Sequence, residues 1–454
     1  MHWKLIVSDY GKINYAEIKV APLTLFVGDN NSGKSYLMSL LWGIKNFGVA
    51  ALIQRYPEEK TKTDRILNVW MIAQVKTAWK NGSHAVGIGE VADELQQVLD
   101  QGVKRNKDNL VKRIFNSSEV KIKELKIELQ DIDKIFLHFQ RKPGIREKDD
   151  RLLLESSAGS QYIMNFSGIK REQESKIANP FWIHMLISLV TGIEIGDVTE
   201  AANNLYFPTA RTGFVLTKNI INKMGRNMVF NRFEGEEEEI TPFTRPINQF
   251  LDVINDLAFA QRGKDALGDI AANIEGGMAE GVIEMSALPN KEVFYVPAGQ
   301  EEAFSLGVSS AVVTELSPLV LTLKHKKTLN FLFYEEPEVC LHPQLQQKMA
   351  RVICQVVNAG VNMMVTTHSD IILQHINNMV CLSGRTDRDK ICCRFGYDVN
   401  DLLDAGQITV YQLKAKPGEK TVVESLMCGK NGFAVPTFND TLDQLMDEAY
   451  EIQE

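Results

Sequence analysis

Three short runs of apolar residues, each ending in polar residues, stand out in the hydrophobic pattern of the chain. They occupy residues 23–27, 329–334 and 361–365. Runs of this length without regular polar alternation are typical of strands buried on both faces of a parallel sheet. Residues 35–47 follow the first run, and their leucine and isoleucine side chains recur at helical spacing. The pattern therefore predicts an α/β fold with a mostly parallel core sheet.

The remainder of the chain shows two other patterns. Apolar residues alternate with polar ones over 120–129 around one register break, and a strand-like run covers 161–166, which together predict an antiparallel β-lobe. Residues 49–117 and 215–283 are mostly polar with partial apolar helical faces, so we interpret them as helical insertions. We accordingly predict five segments: 1–48 and 291–454 as the two parts of the core, 49–117 and 215–290 as helical insertions, and 118–214 as the β-lobe with a helix.

Residues 28–35 spell G-D-N-N-S-G-K-S, a G-x-x-x-x-G-K-S phosphate-binding loop between the first predicted strand and the first predicted helix. Glycines let such a backbone wrap a phosphate, while consecutive N–H groups at the helix N-terminus donate to its oxygens. Lys34 is expected to reach the β- and γ-phosphates, and Ser35 to offer its hydroxyl to Mg²⁺. The alternative is a chance match in a polar turn, which the flanking strand and helix disfavour. We therefore predict ATP and Mg²⁺ as cofactors, bound by Asn30, Asn31, Ser32, Gly33, Lys34 and Ser35.

Acidic residues follow the second apolar run, where residues 335–343 read E-E-P-E-V-C-L-H-P. Two carboxylates at the carboxyl end of a parallel strand lie beside the phosphate loop in a doubly wound sheet. We expect Glu335 to hold Mg²⁺, directly or through water, and Glu336 to polarise the attacking water. The third run ends in T-T-H-S at 366–369, and His368 is predicted to sense or stabilise the γ-phosphate. A single histidine is more often structural, and that alternative stays open.

The order of these motifs resembles that of the ABC-type ATPases in the SMC, RecF and OLD (overcoming-lysogenization-defect) group. The resemblance is greatest to the OLD-like ATPase subunits of bacterial anti-phage systems such as PARIS and Septu, which often carry glutamate at the first acidic position, as Glu335 does here. The patterns at 206–213 and 438–442 also resemble that branch. The resemblance implies an α/β, ABC-type P-loop ATPase head with a β-lobe and helical insertions, and hydrolysis of ATP between two protomers. The chain is therefore expected to form a homodimer or a higher oligomer.

In the resembling ATPases, a signature loop from the partner protomer, just upstream of the acidic strand, completes each ATP site. No L-S-G-G-Q is present here, and residues 305–311 read S-L-G-V-S-S-A before a predicted helix at 312–323. Hydroxyls and N–H groups at a helix N-terminus suit an anion, so Ser309 and Ser310 are predicted to contact the partner's ATP. Alternatively, one of these serines is simply an N-cap. The magnesium-linked glutamine of such ATPases stays unassigned, because several residues compete: Gln54, Gln74, Gln96 and Gln97.

Composition limits the classes of function. A net charge of −8 gives no overall attraction to nucleic acid, and we interpret the basic cluster at 104–113 as a solvated helix face. The longest apolar stretch, at 181–193, is too short to span a bilayer, and no leader is recognised at the N-terminus. Six cysteines without a C-x-x-C pair indicate reduced thiols. These features predict a cytoplasmic protein without a membrane partner.

The leading hypothesis is an OLD-like ATPase that oligomerises around ATP and controls a separately encoded effector in anti-phage defence. Full-length OLD proteins carry a Toprim nuclease after the ATPase, but the segment after His368 is too short for one, and no HNH pattern occurs. The expected partner is therefore a Toprim- or HNH-type nuclease on another chain. The alternatives are a RecF-like DNA-binding repair clamp and a scaffold in which ATP is chiefly structural. Arg211 is left open between a nucleotide contact and a tie between two lobes.

Overall fold

The computed structural model describes residues 2–54, 61–144, 151–165, 180–201, 203–232, 243–257, 265–286, 292–416, 418–429, 432–433 and 446–452. The pattern noted at 438–442 lies outside these residues. The chain divides into two compact units. The first unit comprises Met1–Val20 and Leu40–Glu200, and the second comprises Ala21–Ser39 and Ala201–Glu454.

The strands and helices of the described residues are as follows. The strands are β1 (Trp3–Tyr10), β2 (Ile13–Lys19), β3 (Leu23–Gly28), β4 (Ser83–Gly87), β5 (Ile122–Leu129), β6 (Phe136–Lys142), β7 (Arg151–Ser156), β8 (Gln161–Asn165), β9 (Asn204–Phe207), β10 (Gly281–Met285), β11 (Val293–Pro297), β12 (Phe304–Ser305), β13 (Phe331–Glu335), β14 (Asn362–Thr367), β15 (Ile408–Lys414) and β16 (Thr421–Leu426). The helices are α1 (Lys34–Leu52), α2 (Lys62–Asn81), α3 (Ala92–Phe115), α4 (Pro180–Thr191), α5 (Arg211–Arg232), α6 (Arg245–Asp256), α7 (Ala266–Ile274), α8 (Ala311–His325), α9 (Pro343–Asn358), α10 (Asp370–Ser383) and α11 (Arg388–Phe395).

The first unit contains two groups of antiparallel strands, in the orders β5-β1-β2 and β4-β6-β7-β8. Buried and partly exposed residues alternate along β1, as expected for a strand with one face toward a core. The antiparallel strands predicted from the alternating pattern are therefore present.

Helix α2 begins with a capping box, in which the Thr61 hydroxyl accepts from Asp64 N–H and the Asp64 carboxylate accepts from Thr61 N–H.

Helix α1 contains a break at Gly48, one residue after the predicted helix end. Gly48 has a φ of 74°, and an added Cβ there would lie 2.4 Å from the carbonyl oxygen of Gly196. Just after the break, the N–H groups of Val49 and Ala50 donate to the carbonyls of Glu194 and Ile195 at 2.8 Å. Glycine is required because this position combines a left-handed backbone with close approach of another segment.

The second unit is built on the strand order β16-β15-β3-β14-β13-β9, in which every neighbouring pair from β15 to β9 is parallel. Strand β16 runs antiparallel to β15. All six residues of β3 and all five of β13 are buried, which explains their continuous apolar sequences. Val27 of β3 pairs with Thr367 of β14, and Glu335 of β13 pairs with Thr366. The carboxyl ends of β3, β14 and β13 therefore meet at one edge of the sheet.

Two of the predicted helical insertions also contain strands. The segment 49–117 includes β4, which pairs with β6, and the segment 215–290 includes β10, which pairs with β11. Strand β4 is short and mostly half-buried, so its sequence carries no strong period, and its partner lies beyond the segment. Each of the two segments therefore contains a short strand beside its helices.

The predicted fold class is confirmed: the protein is α/β, with a mostly parallel core sheet, antiparallel strands and helical segments. The five predicted segment boundaries stay predictions, beside the two units described above. None of the helices in the described part of the chain combines the length and apolar character needed to cross a bilayer.

Candidate active site

The phosphate-binding loop joins β3 to α1 at the edge where the parallel strands end. Asp29, Asn30 and Asn31 are exposed, whereas Ser32, Gly33 and Lys34 are buried, and Ser35 is exposed again. Asn31 and Gly33 adopt positive φ angles of 62° and 100°, which bend the backbone into a tight loop. The helix starts where Leu37 N–H donates to Gly33 O at 3.3 Å. The loop thus presents the first N–H groups of α1 toward an anion.

Lys34 is held inside this loop. Its Nζ donates to the carbonyls of Gly28 at 3.0 Å and Asp29 at 2.8 Å. Burial lowers the pKa of Lys34 to about 8, against the opposing effect of nearby carboxylates, of which Glu336 is the largest. The Ser32 hydroxyl is fully buried and has no hydrogen-bond partner among the described residues. An orphaned buried hydroxyl in a loop of this shape is what a bound phosphate would satisfy.

Glu335 is the last residue of β13, and its carboxylate is fixed by Tyr206 of the neighbouring strand β9 and by Thr209 just after that strand. Tyr206 Oη donates to Oε1 at 2.8 Å, and Thr209 donates to Oε2 from its N–H at 3.1 Å and its hydroxyl at 3.3 Å. The side chain is only 6% exposed. These three donors fix the direction of both carboxylate oxygens. The Glu335 side chain is therefore held in one orientation at the end of β13.

Glu336 follows directly and has a different environment. Its Oε1 lies 3.4 Å from His368 Nε2, and both side chains are about a quarter exposed. The hydrogen bond from His368 lowers the pKa of Glu336, while burial acts in the opposite direction. Glu336 is consequently ionised at neutral pH and able to accept a proton from water. The structure thus brings together the two residues predicted as catalytic, one from each of two adjacent strand ends.

Glu338 lies beneath this pair. Its Oε1 accepts the backbone N–H of His368 at 2.6 Å, and its Oε2 is buried without a partner among the described residues. Burial raises the pKa of Glu338 above its usual range, although the hydrogen bond from His368 acts against it. The backbone of Glu336 is also fixed, since Glu336 N–H donates to Thr366 O at 2.9 Å.

Arg211, which sequence reasoning left open, is the first residue of α5 and is completely buried. Its guanidinium donates to the carbonyl oxygens of Glu335 at 2.6 Å and Glu336 at 2.9 Å, and it forms an ion pair with Glu315 of α8. The structure therefore places Arg211 behind the acidic residues, in contact with their backbone.

Ser309 and Ser310 precede α8. Ser310 is the N-cap, and its hydroxyl accepts from Val313 N–H at 3.3 Å. The Ser309 hydroxyl donates to Ser305 O at 3.0 Å. The N-cap interpretation is thus observed for Ser310 within this chain, and a contact of either serine with a partner's nucleotide stays a prediction.

The donor set of this edge fits ATP with Mg²⁺. Loop N–H groups, Lys34 and the orphaned Ser32 hydroxyl suit phosphate oxygens, and the exposed Ser35 hydroxyl with the Glu335 carboxylate suits a hard cation. No cluster of three or more potential ligands of the His, Cys, Asp and Glu types occurs in the part of the chain that the structure describes. Magnesium fits such a site because it takes most of its ligands from phosphates and water.

Comparison with known proteins supports the same chemistry. Residues 216–373 match the family described as AAA ATPase domain. The match covers β13 and β14, with the acidic pair and His368, whereas the phosphate-binding loop precedes it in the chain.

The chain is also similar to solved structures of SMC heads. One is an SmcHead bound to the C-winged helix domain of ScpA, with 12% identity, coverage of 94% of this chain and 98% of that chain, and a TM-score of 0.35. Another is the SMC head domain from Thermotoga maritima, with 11% identity, coverage of 94% of this chain and 99% of that chain, and a TM-score of 0.33. A third is an Smc head domain with an extended coiled coil, bound to the C-terminal domain of ScpA derived from Pyrococcus furiosus. Its identity to this chain is 12%, the match covers 99% of this chain and 99% of that chain, and the TM-score is 0.35. No curated protein matches the sequence.

Four residues of the site carry roles that sequence reasoning did not assign. Tyr206 and Thr209 orient Glu335, and Arg211 and Glu315 form the buried ion pair. Glu315 does carry a signal in the sequence, because it is the one acidic or basic residue between 311 and 323 in an otherwise mostly apolar helix. A lone buried charge of this kind requires a partner of opposite sign.

Proposed function

We propose that this site hydrolyses ATP, and the Glu336–His368 pair beside Lys34 is the observation that carries the proposal. The pair stands at the carboxyl ends of β13 and β14, next to the end of β3 that leads into the phosphate-binding loop. A phosphate-binding lysine and an ionised carboxylate at the same edge of a sheet are what phosphoryl transfer to water requires.

Each residue then has a defined role. The N–H groups of Asn30, Asn31, Ser32 and Gly33 hold the phosphates, and Lys34 neutralises the β- and γ-phosphates. Ser35 and Glu335 would hold Mg²⁺, which would supply positive charge to offset the charge that develops on the phosphate. Glu336 accepts a proton from the attacking water, and His368 orients Glu336 and contacts the γ-phosphate.

Purified protein with Mg²⁺ and ATP tests this proposal. Wild type is expected to release phosphate, whereas Lys34→Ala is expected to lose ATP binding itself, because the loop then lacks its only cation. The matched control is Lys324→Ala, since Lys324 forms an ion pair with Glu275 elsewhere in the same unit. Equal ATP affinity in wild type and Lys34→Ala contradicts the assignment of the phosphate site.

We further propose that the active form is a homodimer or higher oligomer whose ATP sites are completed in trans. Support comes from the exposed loop before α8, where Val308 is 74% exposed and the helix N-terminus follows at once. Ser310→Arg is expected to block hydrolysis without unfolding the protomer. Mixing Ser310→Arg with Lys34→Ala should restore activity, because one site of the mixed dimer then pairs an intact loop with an intact serine. No rescue at any mixing ratio argues for a site within one protomer.

The resemblance to OLD-like subunits supports a finer proposal: the ATPase is cytoplasmic and controls a separately encoded nuclease of Toprim or HNH type in anti-phage defence. All six cysteines are free thiols, as suits a reducing compartment. Co-expression with neighbouring genes and a pull-down with and without ATP tests the partnership. ATP and effector should change each other's affinity by the same factor. If the pull-down recovers no partner protein and the chain binds duplex DNA when ATP is present, the SMC- or RecF-like alternative is supported instead.

A further inference from the structure

The buried guanidinium of Arg211 contacts three separate parts of the second unit. Nη1 donates to the carbonyls of Pro208 at 3.1 Å and Glu335 at 2.6 Å, and Nη2 donates to the carbonyl of Glu336 at 2.9 Å. The planar group also lies over the ring of Tyr334, 4.7 Å from its centroid. A fork of fixed donors spread over two consecutive carbonyls fixes the direction of that peptide segment.

The segment held in this way is strained at the residue that matters for hydrolysis. Glu336 has a φ of 43°, in the left-handed region that a residue with a long side chain rarely adopts. Such a conformation persists only where surrounding bonds determine it. For Glu336 those bonds are its N–H to Thr366 O on one side and its carbonyl to Arg211 on the other. In this backbone conformation the Glu336 carboxylate lies 3.4 Å from His368 Nε2.

The opposite partner of Arg211 belongs to another element, helix α8. Glu315 lies inside α8, is 1% exposed, and also accepts a hydrogen bond from the Thr212 hydroxyl. Helix α8 begins at Ala311, after its N-cap Ser310 and the mostly exposed segment at 305–309. A buried ion pair transmits position because breaking it leaves an uncompensated charge in the interior. A displacement of α8 must therefore pull on Arg211, and through it on the carbonyl of Glu336.

We infer that Arg211 is a positioning residue that sets the conformation of Glu336, and that its ion pair with Glu315 makes this conformation depend on helix α8. Contact of a partner at the loop before α8 would then be felt at the water-activating carboxylate. The inference rests on the proposed function and adds a regulatory link to it. When the loop before α8 of one protomer contacts its partner, the position of Glu336 in that same protomer changes.

Arg211→Lys tests the link, because lysine keeps the charge but lacks the fork. The variant is expected to bind ATP within about threefold of wild type while turnover falls by about tenfold or more, since a small misplacement of a catalytic group has a cost of that size. The matched control is Arg351→Lys. Arg351 stacks on Tyr397, donates to Gly396 O and pairs with Asp401, so it resembles Arg211 in chemistry but lies away from the site. Its turnover should equal that of wild type.

A double-mutant cycle separates positioning from general destabilisation. In a Glu336→Gln background, Arg211→Lys should reduce the residual turnover by less than about twofold, because residues that act as a unit are not additive. An equal fold-loss in both backgrounds overturns the inference, and so does near-normal turnover of Arg211→Lys alone. If Arg211→Lys fails to fold, the pair Arg211→Met with Glu315→Leu removes both charges together and is expected to fold with the same loss of turnover.

A readout without hydrolysis keeps this inference distinct from the proposed function. The imidazole NMR signal of His368, assigned by its loss in His368→Gln, should shift in Arg211→Lys and stay unchanged in Arg351→Lys. A shifted signal in a protein that hydrolyses no ATP supports the link and refutes the proposed function. An unchanged His368 signal in folded Arg211→Lys overturns the link, whatever the activity.

Discussion

The same substitution, glutamate to glutamine, should lower the stability of the protein at Glu335 but leave it almost unchanged at the adjacent Glu336. The Glu335 carboxylate accepts three hydrogen bonds, at 2.8, 3.1 and 3.3 Å, in a buried position. Glutamine offers one oxygen and an NH₂ group, so the bonds to a charged acceptor are lost and the Tyr206 hydroxyl must turn from donor to acceptor. Because hydrogen bonds to charged groups contribute about 1.5–3 kcal/mol, Glu335→Gln should lower the free energy of unfolding by about 2 kcal/mol.

Glu336→Gln should leave stability almost unchanged. The Glu336 carboxylate is 26% exposed and lies 3.4 Å from the His368 imidazole, and glutamine retains an acceptor for that group. The free energy of unfolding is expected to stay within about 0.5 kcal/mol of wild type. Turnover is expected to fall by about 10²-fold, because the amide cannot take a proton from water, while ATP binding through Lys34 remains.

Urea denaturation followed by tryptophan fluorescence, together with phosphate release from Mg²⁺–ATP, measures both effects. Glu424→Gln is the matched control, since its carboxylate pairs with Lys414 on an exposed surface and should affect neither quantity. Wild-type turnover in Glu336→Gln would falsify its assignment as the water-activating group and would direct attention to Glu335 or Glu338. A Glu335→Gln variant as stable as wild type would refute the reasoning about its three donors.

Two further predictions concern the phosphate-binding loop. Gly28→Ala should lower the free energy of unfolding by about 3 kcal/mol or more, because an added Cβ would lie 2.2 Å from Leu413 O at a φ of 137°. Urea denaturation measures this, with Gly213→Ala as the control, since a Cβ added at Gly213 has no atom within 4 Å. Equal unfolding midpoints for the two variants would contradict the prediction. ATP affinity should be constant below pH 8 and fall above it, because burial lowers the pKa of Lys34 to about 8 in the free protein and bound phosphate favours the charged form of Lys34. Titration calorimetry on both sides of pH 8 measures this affinity. An ATP affinity independent of pH would contradict the prediction.

The parts of the site that the sequence predicts are those encoded by contiguous residues. The phosphate-binding loop follows a buried strand and opens a helix, as its local pattern indicates. The acidic pair and His368 likewise follow the apolar runs that became β13 and β14. Burial on both faces dictates a continuous apolar sequence, so strands of this kind are readable without knowledge of their partners.

The contacts that orient these residues are not readable in the same way. The bond from Tyr206 to Glu335 spans 129 positions of the chain, and the bond from Thr212 to Glu315 spans 103. No local spacing encodes such pairs, which exist only once the parallel strands have assembled. The left-handed φ of Glu336 is also unmarked, since no glycine or asparagine stands there to announce it.

Single-turnover hydrolysis, with protein in excess over ATP, tests the central claim most directly. Wild type is expected to convert the bound ATP to ADP, at a rate per protomer that rises with protein concentration until every site is completed by a partner. Lys34→Ala measured in parallel gives the background. Formation of no more ADP by wild type than by Lys34→Ala, at any protein concentration, would contradict the account of this site as an ATPase centre.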